Sequence, residues 1–193
     1  MHAIDISLFY SVYNYSGHSA WTDWLIVFVG EDLIYLILLA FVIDIAREFR
    51  KKRRNNAWTL IETISGALVA LLVTAGIRLV YPRLRPFLAL GLTQHVLTDY
   101  AYSFPSAHTI FLFALATGIY RVNKRVGLGL YILALLVGLA RIAGGVHYPS
   151  DIIGGAVLGI LVSITVTKVW EKLASAKILP PLEPSSKVQR SKL

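Results

Sequence analysis

The chain has 193 residues, of which 56% are hydrophobic, with a formal net charge of +8 and no cysteine. A mean hydropathy of +0.63 is high for a soluble domain, and the apolar residues fall in long runs, so the composition predicts a polytopic membrane protein. The lack of cysteine excludes disulfides and cysteine-ligated metals. Because the cations lie in loops and in the tail, we expect the partner to be a membrane and not a nucleic acid.

The first 20 residues are aromatic and mildly amphipathic, and they lack the basic start and clean apolar core of a signal peptide. This pattern predicts an N-terminal interfacial helix or a sixth membrane helix. Five apolar runs follow and predict about five transmembrane helices, so the expected fold class is an all-α, polytopic membrane bundle. The runs cover about residues 24–45, 58–80, 106–120, 126–142 and 151–170.

Glu31 and Asp32 interrupt the first of these runs. Charge is costly inside a membrane, and two interpretations stay open: the span starts later and both residues are interfacial, or one of them faces a basic site and orients an arginine. The third and fourth runs are shorter than the roughly 20 residues that cross the hydrocarbon, so their ends or the local bilayer must adjust. In the last run, Gly155 and Gly159 form a small-residue motif typical of close helix packing, which we expect within the monomer.

The chain divides into a membrane domain and a tail. We interpret residues 1–172 as one integral membrane domain. Residues 173–193 contain prolines, cations and few large apolar residues, which predicts a disordered cytoplasmic tail.

The distribution of cations predicts the orientation. Fifteen of the 19 Lys and Arg lie in residues 47–54, in residues 121–125 or from Lys168 onward, all on one side of the predicted bundle. The positive-inside rule assigns that side to the cytoplasm. The four cations predicted to face outward are Arg78, Arg83, Arg85 and Arg141.

Three short polar blocks lie at the predicted outer face. They are Arg78-x6-Arg85-Pro86, Pro105-Ser106-Ala107-His108 and Arg141-x5-His147-x3-Asp151. Guanidinium groups match phosphate oxygens bidentately, one imidazole can attack phosphorus, and another can protonate the leaving oxygen. Together the blocks predict a site that holds a phosphate and breaks its ester or anhydride bond.

Each residue also has a structural interpretation. Arg78 can reach the headgroups from the end of a span, and Ser106 can act as a helix N-cap. His108 can be an interfacial histidine that bonds to the backbone, and His147 with Asp151 can be a structural hydrogen-bonded pair. The functional interpretation is favoured because the three blocks are far apart in sequence and yet converge on one membrane face.

These blocks resemble the signature of the type 2 phosphatidic acid phosphatase superfamily, Lys-x6-Arg-Pro, Pro-Ser-Gly-His and Ser-Arg-x5-His-x3-Asp, over roughly residues 24–170. Three positions depart from it: Arg78 stands for Lys, Ala107 for Gly, and Ala140 for Ser. None of the three changes removes a nucleophile or a proton-transfer group, although the last removes a hydroxyl that can bind phosphate. Within the family, the run Tyr102–His108 is most similar to bacterial undecaprenyl-pyrophosphate phosphatases.

The resemblance implies roles for individual residues. His147 would attack phosphorus and become phosphohistidine, Asp151 would hold its other ring nitrogen, and His108 would protonate the departing oxygen and then activate water. The implied phosphate-binding residues are Arg78, Arg85, Ser106, Ala107 and Arg141. Three guanidinium groups would do the electrostatic work that Mg²⁺ often does, so neither a metal nor a cofactor is expected.

Three further residues are secondary candidates. Arg83 lies within the first block and is expected to contact lipid headgroups, with a second phosphate as the alternative. His95 is expected to be solvated in the loop 81–104, with a substrate contact as the alternative. Glu31 is the carboxylate that would orient an arginine of the site.

A site at the outer edge of a bilayer suits a lipid whose tail stays in the membrane while its phosphate is in water. We therefore predict a phosphatase in the bacterial plasma (inner) membrane, facing the extracytoplasmic side, that converts undecaprenyl pyrophosphate to undecaprenyl phosphate plus phosphate for cell-wall synthesis. Phosphatidic acid, phosphatidylglycerol phosphate and lipid A are alternative substrates. An anion-binding transporter or an inactive lipid-binding protein is the alternative of another class. The sequence leaves the oligomeric state open.

Overall fold

The computed structural model describes residues 3–50, 54–96 and 100–182, and within these ranges the fold is a helical bundle without strands. The helices are α1 (Ala3–Tyr13), α2 (Ala20–Val27), α3 (Leu33–Arg50), α4 (Arg54–Val80), α5 (Pro86–Leu90), α6 (Ala107–Val122), α7 (Lys124–Ala143) and α8 (Pro149–Ser175), and a π-helical segment, Phe28–Asp32, joins α2 to α3. The predicted all-α membrane bundle is confirmed.

Four helical segments of the described chain are long and apolar enough to cross a membrane. They are Ala20–Arg47, Asn56–Val80, Lys124–Ala143 and Pro149–Ser175, and they correspond to the first, second, fourth and fifth predicted spans. The third predicted span is α6, a 16-residue helix in which every residue from Thr109 to Ile119 is buried. Since α4, α7 and α8 all pack against α6, its apolar side chains form the centre of the bundle.

The first span runs through Glu31 and Asp32 without ending. The helix widens there into the π-helical segment, a local change that is frequent at functional sites. Gly30 is buried in this segment, and a Cβ added to it would lie 3.6 Å from the Cβ of Ala140 on α7. The alanine at position 140 therefore packs against the π-helical segment.

The small-residue motif of α8 faces α6. A Cβ on Gly159 would lie 2.4 Å from the backbone oxygen of Ile110, and a Cβ on Gly155 would lie 3.1 Å from that of Ser106. The two backbones therefore approach too closely for a larger residue at position 159. This contact accounts for the motif within the monomer and fixes the beginning of α6 beside the beginning of α8.

Helix α1 packs on α7 and α8. Its Phe9 is fully buried and stacks on Tyr13, with ring centroids 5.2 Å apart, and it also contacts the ring of Tyr148. The 11 residues of α1 extend roughly 16 Å, about half the thickness of the hydrocarbon, so the helix is too short to be a sixth membrane crossing.

The long loop that precedes α6 is pinned at both ends. Leu84 pairs with Tyr102 in an isolated antiparallel bridge, and the Arg85 N–H donates to Ala101 at 3.0 Å. Pro86 begins α5, where its fixed φ suits the first helical position. The Phe87 N–H then donates to the Gly145 oxygen at 3.1 Å, which holds this loop against the turn between α7 and α8.

The domain boundary predicted at residue 172 falls inside a helix, because α8 continues to Ser175. Residues 176–182 then turn back, and Trp170 Nε1 donates to the Pro180 oxygen at 3.0 Å. The boundary at residue 172 and the disordered tail from residue 173 stay predictions. Residues 183–193 of that tail lie outside the described residues.

Candidate active site

The three polar blocks meet at one end of the bundle, where α4 and α7 end and α6 and α8 begin. Antiparallel helices carry alternate ends to the same face, so residues separated by tens of positions in sequence become neighbours. The site contains the expected catalytic residues His108, His147 and Asp151, together with three arginines that we call the arginine cradle: Arg78, Arg85 and Arg141.

His147 is the centre of the site, and its side chain is 1% exposed. Its Nδ1 lies 3.4 Å from Asp151 Oδ2, longer than a standard hydrogen bond, and catalytic contacts of this kind can tighten when substrate binds. Asp151 lies in the first turn of α8, where its Oδ2 also accepts from the Tyr148 N–H at 2.8 Å. The carboxylate is thereby directed back toward the imidazole, which leaves Nε2 as the outward nitrogen.

Arg85 covers the outward nitrogen of His147. Its NH1 lies 3.4 Å from His147 Nε2 and donates to the Val146 oxygen at 3.2 Å. Burial lowers the pKa of the Arg85 guanidinium, and the neighbouring charges of Arg141 and Arg78 lower it further. Three cations crowd one buried space, so a phosphoryl anion there would relieve their repulsion.

The other two cradle arginines donate to backbone oxygens, and Arg141 also donates to the carboxylate of Glu31. Arg78 NH2 donates to the Pro105 oxygen at 3.0 Å, and Arg141 NH1 donates to the Gly30 oxygen at 3.3 Å. The Nε atoms of all three cradle arginines are buried without a hydrogen-bond partner among the described residues. Buried polar groups are normally paired, so these donors point to an anionic ligand.

The cradle also acts on the protonation of His147. Burial lowers the pKa of His147 well below its ordinary value, and the positive charges of the cradle and of a protonated His108 act in the same direction. The imidazole therefore stays neutral at neutral pH, and its lone pair is lost only when the pH falls below this depressed pKa. A neutral imidazole beside fixed cations has the properties of a nucleophile for phosphorus.

The second block forms the beginning of α6. Ser106 is fully buried and is the N-cap, with its Oγ accepting from the Thr109 N–H at 3.4 Å. Its own backbone N–H donates to the backbone oxygen of Asp151 at 3.2 Å. Its hydroxyl proton remains available as a donor, so capping and anion binding are compatible. Ala107 opens the helix, where its backbone N–H belongs to a helix N-terminus and favours an anion.

Glu31 lies between two residues of the site. Its Oε1 accepts from Arg141 NH1, and its Oε2 lies 3.5 Å from His108 Nε2. The charge inside the first span therefore faces the basic site, which is one of the two arrangements that the sequence left open.

Two secondary candidates have protein partners in the structure. Arg83 bonds Asp151 at 2.7 Å and Asp5 at 2.5 Å, and a contact with headgroups or with a second phosphate stays a prediction. His95 is half-buried, with its N–H donating to the Gly144 oxygen at 3.0 Å and its ring 5.9 Å from that of Tyr13. These contacts hold the loop against α1 and against the turn after α7.

The sequence interpretation missed Asp5, Ser150 and Tyr148. Asp5 is an acidic residue in an apolar segment, the one available signal, since charge in such a segment usually has a buried partner. Among the described residues, no group of three or more His, Asp or Glu is arranged to hold a metal ion. The side chains that converge on His147 are arginines, a serine hydroxyl, a second imidazole and carboxylates, beside the backbone N–H groups at the beginning of α6.

A helical membrane bundle with two imidazoles, a cationic cradle and a carboxylate beside the central imidazole contains the groups that phosphoryl transfer through a histidine would need. The chain matches the PAP2 superfamily over residues 57–175, which contain all three polar blocks. It belongs to that superfamily, the type 2 phosphatidic acid phosphatases, and is a membrane phosphatase.

Curated relatives and a solved structure agree with this membership. The chain is 31% identical over 161 residues to undecaprenyl-diphosphatase BcrC of Bacillus subtilis, covering 82% of this chain and 80% of the relative. It is 31% identical over 179 residues to the putative undecaprenyl-diphosphatase YbjG of Escherichia coli, covering 88% and 84%. The crystal structure of Aquifex aeolicus LpxE superposes with a TM-score of 0.67 at 24% identity, covering 86% of this chain and 96% of that one, which supports the fold.

Proposed function

We propose that this membrane phosphatase hydrolyses undecaprenyl pyrophosphate to undecaprenyl phosphate and inorganic phosphate through a phosphohistidine at His147. The observation that carries the proposal is the placement of His147 between Asp151, 3.4 Å from Nδ1, and Arg85, 3.4 Å from Nε2. One neighbour fixes the tautomer, and the other would hold the phosphoryl oxygens next to the attacking nitrogen.

The first half-reaction transfers the terminal phosphoryl group. His147 Nε2 forms a bond to phosphorus while the bond to the bridging oxygen breaks, and the electron pair leaves with undecaprenyl phosphate. His108 donates its proton to that departing oxygen and is left neutral. The arginine cradle and the donors at the beginning of α6 stabilise the charge on the equatorial oxygens.

The second half-reaction regenerates the enzyme. His108, now neutral, takes a proton from water, and the oxygen attacks phosphorus as the bond to His147 Nε2 breaks. Inorganic phosphate leaves, and Asp151 holds the Nδ1 proton throughout. The contact between Glu31 and His108, at 3.5 Å, keeps the acid–base imidazole at the edge of the cradle.

The substrate assignment draws on the names of two relatives, an undecaprenyl-diphosphatase and a putative one. The test is phosphate release from a panel of undecaprenyl pyrophosphate, phosphatidic acid, phosphatidylglycerol phosphate and lipid A, by purified enzyme in mixed micelles with and without a chelator. We expect kcat/KM for undecaprenyl pyrophosphate to exceed the others by at least about tenfold, or about 1.4 kcal/mol, with no loss in chelator. A glycerol lipid or lipid A as the best substrate would contradict the substrate assignment but not the family.

We also propose that the active site faces the extracytoplasmic side. Cations such as Arg50, Lys124 and Lys172 lie at the helix ends opposite the site, and the positive-inside rule assigns those ends to the cytoplasm. The chain has no cysteine, so single cysteines can report the side. In intact cells a membrane-impermeant maleimide is expected to label Tyr15→Cys, at the site end, and not Lys124→Cys; the reverse pattern would contradict this orientation.

A further inference from the structure

Helix α1 reaches into the active site through one carboxylate. Asp5 Oδ1 accepts from the Ser150 N–H at 3.0 Å, and Oδ2 accepts from the Ser150 hydroxyl at 2.6 Å. Ser150 is the second residue of α8, so Asp5 caps the helix that carries Asp151 from a position 145 residues earlier in the chain. The same Oδ2 accepts from Arg83 NH2 at 2.5 Å.

Arg83 connects this cap to the catalytic carboxylate. Its NH1 donates to Asp151 Oδ1 at 2.7 Å and to the Ser150 hydroxyl at 2.6 Å. The flat face of the guanidinium lies over the ring of Tyr148, 4.1 Å from the centroid. Side-chain exposures of 12% for Arg83, 11% for Asp5 and 0% for Asp151 make this a largely desolvated network, in which charged hydrogen bonds are strong.

The network divides the two oxygens of Asp151 between two tasks. Arg83 holds Oδ1, while Oδ2 accepts from the Tyr148 N–H at 2.8 Å and faces His147 Nδ1 at 3.4 Å. Rotation of the carboxylate would break the bond to Arg83, so the guanidinium fixes which oxygen faces the imidazole. In metal sites, residues that hydrogen-bond the partner of a histidine commonly set the orientation of its ring, and we expect the same effect here.

We propose that Asp5 and Arg83 are positioning residues for His147: Asp5 holds Arg83, Arg83 holds Asp151, and Asp151 holds the imidazole in its attacking tautomer. This inference rests on the proposed role of His147 as the nucleophile. It makes α1 part of the catalytic apparatus. It also separates Arg83 from the arginine cradle, since both terminal nitrogens of Arg83 are bonded to protein oxygens.

The proposal predicts a loss in kcat without a loss in phosphate affinity. Arg83→Gln is expected to lower kcat for undecaprenyl pyrophosphate by about 10–100-fold, by analogy with the loss seen when an outer-shell partner of a metal-ligating histidine is removed. KM and the inhibition constant of inorganic phosphate should stay within about threefold of wild type, because the cradle is unchanged. Arg83→Lys keeps the positive charge, so its loss of kcat should be smaller than that of Arg83→Gln. Some loss should remain, because lysine cannot hold both carboxylates as a fork.

A double-mutant cycle tests the order of the chain of contacts. Asp5→Asn should lower kcat, and the double variant with Arg83→Gln should lose clearly less than the sum of the two single losses in free energy, because Asp5 acts largely through Arg83. Asp44→Asn is the matched control, since Asp44 is an exposed carboxylate paired with exposed Arg47 away from the site. Thermal unfolding in detergent is recorded for every variant, and Arg83→Lys serves as the milder variant if Arg83→Gln unfolds.

The outcomes separate this inference from the proposed function. Wild-type kcat in folded Arg83→Gln, with His147→Ala inactive, would overturn the positioning role and leave the nucleophile in place. A rise in the inhibition constant of phosphate that matches the loss of kcat/KM would make Arg83 a phosphate ligand and also overturn it. Additive losses in the cycle would contradict the link through Arg83. Turnover in His147→Ala would remove the proposed function itself.

Discussion

His147→Ala is expected to lower phosphate release from undecaprenyl pyrophosphate by about 10⁴-fold or more. The variant lacks the atom that bonds to phosphorus, and losses of this order follow when the nucleophile of a covalent mechanism is removed. The cradle remains, so the variant should still bind the substrate. The measurement is kcat from a phosphate-release assay, together with substrate binding by equilibrium dialysis in micelles.

His18→Ala is the matched control for this prediction. His18 is exposed, and its Nε2 contacts the Asn14 oxygen at 2.7 Å outside the site, so its turnover should equal that of wild type. Residual turnover in His147→Ala within tenfold of wild type would mean that water attacks phosphorus directly. A transporter or an inactive lipid-binding protein would instead show no phosphate release in the wild-type protein or in the variant.

His108→Ala is expected to lower turnover by about 10²–10⁴-fold, the usual contribution of a general acid–base residue. The rate of phosphoenzyme breakdown should fall more than the rate of its formation. The departing lipid phosphate is a weak base, with a second pKa near 6, and leaves with little help, whereas water needs a base before it attacks. The phosphoenzyme should therefore accumulate in this variant, which rapid-quench kinetics can measure.

A companion variant tests the neighbour of His108. Glu31→Gln keeps the shape of the side chain but removes the charge that faces His108 and Arg141. A smaller loss, on the order of tenfold, is expected in the same breakdown step, because the carboxylate orients groups and does not transfer the proton. A pre-steady-state burst equal to that of wild type in His108→Ala, with no accumulation, would assign the acid–base role to another group.

The convergence of the three polar blocks on one face could be predicted from the sequence, because successive membrane helices alternate in direction. An apolar run that ends at Arg78 and another that begins at Ser106 must place both residues on one face of a bundle. The same logic joins Arg141 to His147 through the short turn at Gly144–Gly145. The structure brings these residues together around His147, and their catalytic roles stay predictions until the variants are measured.

Contacts between side chains on different helices could not be predicted from the sequence. Nothing periodic links Asp5 to Arg83 and Ser150, because the contact depends on how α1 lies on α7 and α8. Glu31 gave a signal, a charge inside a span, but which way it faced depended on the π-helical segment at Phe28–Asp32, which apolar periodicity does not reveal. The end of α8 at Ser175 was hidden for a similar reason, since a helix gains from packing that composition alone does not describe.

The central claim is that a phosphoryl group passes through His147. The most direct measurement mixes the His108→Ala enzyme with undecaprenyl pyrophosphate, stops the reaction at alkaline pH to preserve phosphohistidine, and maps phosphorylated peptides by mass spectrometry. We expect phosphate on His147 at a level approaching one per enzyme, and none in the His147→Ala background. Phosphate on another residue, or no phosphopeptide from an enzyme that turns over, would contradict the account.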